Sequence, residues 1–190
     1  MPALVALALL PIAACRDPQS NRASLLTYQD TITVFAINGS PSVFANAIAT
    51  QNRAGSQAVR VDDPVSFDLG LEIASDSSVI FIPARLLASS LAAPPRVGLL
   101  VDTVRVFDSI TVAPTRGFVY DTATVRARPG DVVIVESSAA VCGQNSTGNT
   151  AFSKIVVDSI RLIAPPRAFL RILTNPNCGF RSLRPGLPSR

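Results

Sequence analysis

The side chains in this sequence with a capacity for chemistry are three cysteines (Cys15, Cys142, Cys178), a single lysine (Lys154), and aspartates at the ends of apolar runs: Asp62, Asp63, Asp76, Asp102, Asp108 and Asp121. Histidine is absent, so neither a Ser-His-Asp nor a Cys-His arrangement can form. No GxSxG elbow, P-loop or GxGxxG run occurs. Ser-Lys catalysis would require Lys154, which falls in a strand-like pattern where an exposed lysine is ordinary. Paired carboxylates could serve a glycosidase, which holds two acids about 5 to 10 Å apart, or a calcium site built from several oxygens. The DxDxDG spacing of a calcium loop is missing, and Asp at a strand end is a common turn residue. No catalytic residue, metal site or cofactor is assigned on this basis. Asn145-Ser146-Thr147 matches a glycosylation acceptor and is read as a polar loop.

Composition bounds the partners. The 190 residues are 48% hydrophobic and 16% charged, enough apolar matter for a core and too little charge for a disordered chain. The net charge is +4. The arginines are spread from Arg16 to Arg190 among acids, with no basic block and no interleaved aromatics, which argues against nucleic-acid binding.

The first residues carry a different signal. Ala3 to Ala14 is uncharged and apolar. As a helix it would span about 18 Å, short of a hydrocarbon core of about 30 Å, but it suits the apolar region of a secretory signal. Its end, Ile12-Ala13-Ala14-Cys15, resembles the lipobox of bacterial lipoproteins, although no basic residue precedes it. The resemblance implies that residues 1–14 are a signal peptide that is removed. It also implies that Cys15 receives a diacylglycerol. Arg16 to Arg22, polar with one proline and no periodicity, reads as a flexible tether, so that residues 15–27 are expected to be lipidated cysteine and tether. Two or three acyl chains anchor stably where one does not. Arg16 stands where an Asp would retain such a protein in the inner membrane, so the expected location is extracytoplasmic, anchored to a bacterial membrane, with the outer membrane favoured. Beyond Cys15 the chain resembles no family of known activity.

Export places the two remaining cysteines where disulfides persist. Cys142 and Cys178 each lie beyond a strand-like run in a Gly-containing loop, and a disulfide between them is expected. It would close a loop of about 36 residues and contribute about 4 kcal/mol by loop-closure entropy. A metal reading has no His and no CxxC to support it.

The elements that must position these residues are mostly strands. Fifteen prolines and ten glycines punctuate a chain rich in Val, Ile and Thr. From Val59 to Ile73 apolar residues recur at odd positions, which predicts one bulged strand or two short ones divided near Asp62-Asp63-Pro64. Further strands are expected at 31–37, 79–82, 97–101, 103–107, 123–127 and 132–136, the last two paired through the Arg128–Asp131 turn. A C-terminal hairpin is expected from 154–163 and 167–173. One short helix is predicted near 83–92, with Pro83 at its first turn; residues 41–50 read as a weaker helix or a loop. The fold class is therefore all-β, a single-domain antiparallel β-sandwich, immunoglobulin-like or jelly-roll-like, over residues 28–182, with a β-barrel as the alternative. Residues 183–190 are expected to be a loose tail.

Two functional classes follow. One is a non-catalytic binding or structural module, attached to the membrane by its lipid and engaging an envelope protein or glycan through an exposed apolar or Arg-lined patch at one end of the sandwich. The alternative is an envelope-tethered hydrolase that brings two carboxylates into one cleft.

Overall fold

The structure is a computed structural model and describes residues 23–52, 55–87, 94–115, 120–138 and 148–188. The expected signal peptide (residues 1–14), Cys15, the expected tether up to residue 22, Cys142 and Asn145 lie outside the described residues.

Ten strands are present among the described residues, in the order β1 (Tyr28–Phe35), β2 (Ala47–Asn52), β3 (Gly55–Val59), β4 (Leu69–Ile73), β5 (Val79–Pro83), β6 (Val97–Asp102), β7 (Val125–Ala127), β8 (Val132–Ser138), β9 (Thr150–Arg161) and β10 (Arg167–Asn175). A short helix, α1 (Ala84–Leu87), follows β5, and a single 3-10 turn covers Phe107–Ser109. All strand pairs are antiparallel. They form two five-stranded sheets: sheet I, β1-β10-β9-β8-β6, and sheet II, β3-β2-β4-β5-β7. The fold is a β-sandwich, not a closed barrel.

The apolar faces of the two sheets meet in a core that includes Val34, Ile48, Leu69, Phe81, Leu99, Val135, Ile155 and Ile172. Sheet I is also covered on its other face. Phe107, Ile110, Ala113 and Leu183 pack there against Val132, Ile134, Phe152, Val156 and Leu173. The cover is a strap, residues 103–115 and 120–123 among the described residues, that packs over β8 and β9. Double coverage explains why 132–135 (VVIV) and 151–157 (AFSKIVV) are buried at every position instead of alternating.

At one end the inter-sheet core turns polar. The Asp68 carboxylate is buried and accepts hydrogen bonds from Thr50 N (2.7 Å), Thr50 Oγ1 (2.6 Å) and the Ser137 hydroxyl. Thr50 O in turn accepts from Ser56 Oγ and Tyr28 Oη, and Ser56 reaches Ser153 through Thr174. The chain of contacts joins β2 and β3 of sheet II to β8, β9 and β10 of sheet I. Burial of these groups is tolerated because they satisfy one another.

Several expectations are corrected. Residues 103–107 alternate but form no strand: Asp102 Oδ1 accepts from Val104 N and Arg105 N, turning the chain out of the ladder and leaving Val104 and Val106 exposed. Residues 47–50 belong to β2, not to a helix or loop. β7 and β8 are not partners; β7 pairs with β5 and β8 with β6 and β9, so the Arg128–Asp131 turn crosses from one sheet to the other. Of the two readings of Val59–Ile73, the divided one holds: the turn at Arg60–Asp63 separates β3 from β4. The tail is docked over 183–188: Leu183 is fully buried, and Arg184 O and Gly186 O accept from Thr27. Residues 23–27 are held rather than flexible, with Ser24 N and Leu25 N donating to Asn177 Oδ1.

Replacing Asp68 by Ala strands three buried donors and should destabilise the fold by about 3 kcal/mol or more. Asp76→Ala, in an exposed turn, should cost about 1 kcal/mol or less. Urea unfolding of both variants checks the difference.

Candidate functional site

The aspartates singled out by the sequence serve their own turns. Asp62 pairs with Arg60 at 2.7 Å, and Asp63 accepts from Arg60 N. Asp76 accepts from Ser78 N and Oγ, with Arg126 3.5 Å away. Asp102 pairs with Arg105 at 2.6 Å. Asp121 accepts from Ala123 N, and Asp108 sits exposed on the 3-10 turn. Among the described residues no three Asp, Glu, Cys or His side chains are grouped to hold a metal ion.

Lys154 departs from its expected surface position. Its side chain points to the outer face of sheet I, is 2% exposed, and lies beneath the strap. Nζ donates to Phe107 O at 2.7 Å and Ile110 O at 2.9 Å and sits 4.3 Å from the Phe107 ring centroid. The Arg171 guanidinium lies 4.8 Å from the same ring. Burial pulls the Lys154 pKa down to about 8; nearby Asp108 opposes the shift and Arg171 adds to it. The residue pins the strap and does not line the described cleft. The unbroken apolar run around it was the sequence signal for its burial.

Two surfaces stand out. β1 fixes the ends of the sandwich: Tyr28 is opposite Thr174 and Phe35 opposite Arg167, about 25 Å apart along the strand. The near end holds residues 23–27 and the docked tail. The far end holds the β9–β10 hairpin tip and residues 36–45. There Ile163 is 79%, Val43 71% and Leu162 51% exposed. Phe35 and Phe44 stack at 4.3 Å, Arg167 lies over the Phe35 and Phe169 rings, and Pro166 O accepts from Ala36 N. The tip is thus braced from behind while its apolar side chains face water. Arg161 and Arg167 flank it; the neighbouring acids are engaged, Glu72 with Asn38 and Asp158 with Arg171.

The second surface is a cleft of about 280 Å³ at the near end of sheet I. Gly98, Glu136 and Thr150 form its floor from β6, β8 and β9. Tyr120 and Thr122 of the strap form one wall, and Arg96, Ser138 and Asn149 the rim. A Cβ at residue 98 would lie 2.7 Å from Tyr120 Cβ, so glycine is what lets the tyrosine lie against β6. Burial and the nearby Glu136 carboxylate raise the Tyr120 pKa, against a smaller opposing effect of Arg181. Sequence reading did not find this cleft; its one local signal was a glycine inside the apolar run 97–101. Of the carboxylates, only Glu136 lines it.

Cys178 is fully buried and disulfide-bonded. No helix among the described residues is long and apolar enough to cross a membrane. Comparison with protein-family models, curated proteins and solved structures finds no match to this chain.

The lowered pKa of Lys154 has a definite sign. Between about pH 8 and the ordinary 10.5 the unfolded chain binds the extra proton, so stability rises with pH. Tyr120, whose pKa is raised above 10, acts in the opposite direction above that pH. The free energy of unfolding in urea should therefore increase from pH 8 to pH 10, by up to about 3 kcal/mol, and the increase should vanish in Lys154→Met.

Proposed function

We propose that this chain is a lipid-anchored, non-catalytic binding module of the bacterial cell envelope, tethered through Cys15 and engaging an envelope protein through the far end of the sandwich. The observation that carries the reading is the exposure of Leu162, Ile163 and Val43 together at the end opposite to where residue 23 joins the sheet. Clustered apolar side chains held on a braced turn mark interaction surfaces, and a tether at the near end directs this one away from the membrane.

The disulfide fits the same compartment. Cys142 is the partner we assign to Cys178. A Cβ built on Gly148 would lie 3.4 Å from Gly179 Cα, and Gly179 N donates to Thr150 O, so the chain six residues beyond Cys142 already runs beside Cys178. The alternative, a tethered hydrolase working through carboxylates, has one acid in the described cleft where the chemistry requires two.

Growth with radiolabelled palmitate should label the wild-type protein and not Cys15→Ser. A photo-crosslinking residue at position 163 in intact cells should give a discrete protein adduct that the same residue at exposed position 86 does not. Equal labelling, or the same adducts from both positions, would overturn the reading.

A further inference from the structure

We propose that the cleft at the near end of sheet I binds a pyranose sugar. The inference concerns a different surface from the far-end tip and does not rest on the function proposed for it.

The cleft is built rather than left over. Gly98 admits Tyr120 against the sheet, and the wall is fixed in two ways. Leu99 and Asp121 exchange backbone hydrogen bonds at 2.7 and 2.8 Å, and Tyr120 Oη donates to Pro114 O at 2.9 Å. The tyrosine hydroxyl is engaged, so the residue offers the cleft a fixed aromatic wall. The same Leu99–Asp121 bridge occupies the edge of β6, which removes strand addition by a peptide at that point.

The polar groups decide the ligand class. Gly98 is opposite Glu136, and Ser138 N donates to Arg96 O, so Arg96 and Glu136 project from neighbouring strands on the same face. No ion pair among the described residues includes either of them. Among the described residues a carboxylate and a guanidinium therefore stand unpaired across one cleft, with the Ser138 hydroxyl, which accepts from Arg96 N, the Thr150 hydroxyl and the Asn149 amide beside them. Glu136 disfavours a phosphate or other anion, and one carboxylate is too few for a divalent cation. A purely apolar ligand would leave these groups desolvated and unpaired. A pyranose meets the arrangement: adjacent hydroxyls donate to the carboxylate, ring and hydroxyl oxygens accept from the guanidinium and the amide, and the C–H face of the ring covers the aromatic wall. The volume suits about one such ring.

The test is a nuclear magnetic resonance titration of the full chain with glucose, with N-acetylglucosamine and with its β-1,4-linked tetramer, and with inorganic phosphate as a control. The expected result is saturable shifts with a sugar, confined to residues 96–98, 120–122, 136–138 and 149–150. Affinity should fall at least tenfold in Glu136→Gln, with Ser138→Ala as a second variant should the first not fold. Ile163→Asp, at the far end, should bind as the wild type does. Tighter binding of the tetramer than of the monomers identifies a glycan chain as the source, and equal binding a free sugar; either supports the site. No saturable shift with any of the sugars, shifts elsewhere, affinity unchanged in the folded cleft variant, or phosphate matching the sugars overturns it.

Discussion

The ammonium group of Lys154, enclosed beneath the strap, is the constraint on which the rest of this structure depends. A lysine amine removed from water needs compensation, and here it comes from Phe107 O, Ile110 O and the Phe107 ring. All three belong to the strap, so the cation and its cover hold each other in place. With the strap pinned, sheet I has a second buried face. Tyr120 and Thr122, further along the chain, wall the near-end cleft, and beside the docked tail Ala113 O accepts from Arg181 Nε while Ala113 N donates to Arg181 O. One charged contact thus links the outer core, the cleft and the C-terminal segment.

The polar seam around Asp68 performs a related task between the sheets. Apolar packing alone specifies a distance between two sheets better than a register. A carboxylate whose hydrogen bonds come from β2 and β8 fixes how they slide against each other. The two devices leave the ends of the sandwich unlike. The near end is polar and gathers both termini of the described chain, while the far end is apolar and faces water.

The sequence made the alternating or β-branched strands legible, including β5, β6, β8 and the β9–β10 hairpin, as well as the helix after Pro83. The two-sheet sandwich follows from their number and spacing. It misled where one local feature overrode periodicity. Thr103 to Phe107 alternates, but Asp102 caps a turn there. Residues 47–52, with their small alanines, carry little β signal and become a strand because Val59, Ala58 and Gln57 pair with them. The candidate sites were less legible for a physical reason. A cleft depends on which face of a strand is covered, and the cover is an irregular strap whose path no periodicity encodes. The run AFSKIVV announced burial on both faces of β9, and a lone lysine inside it was the one available hint that a cation is held beneath something.

That cation can be observed by itself. Lys154 is the only lysine, so protein labelled with carbon-13 at lysine Cε gives one side-chain resonance whose pH titration reports this group alone. The account predicts a midpoint at about 8, as expected for an amine held under the strap. A midpoint at the ordinary 10.5 would mean that the lysine is in water, the strap is not pinned, and the cleft it walls does not exist in this form.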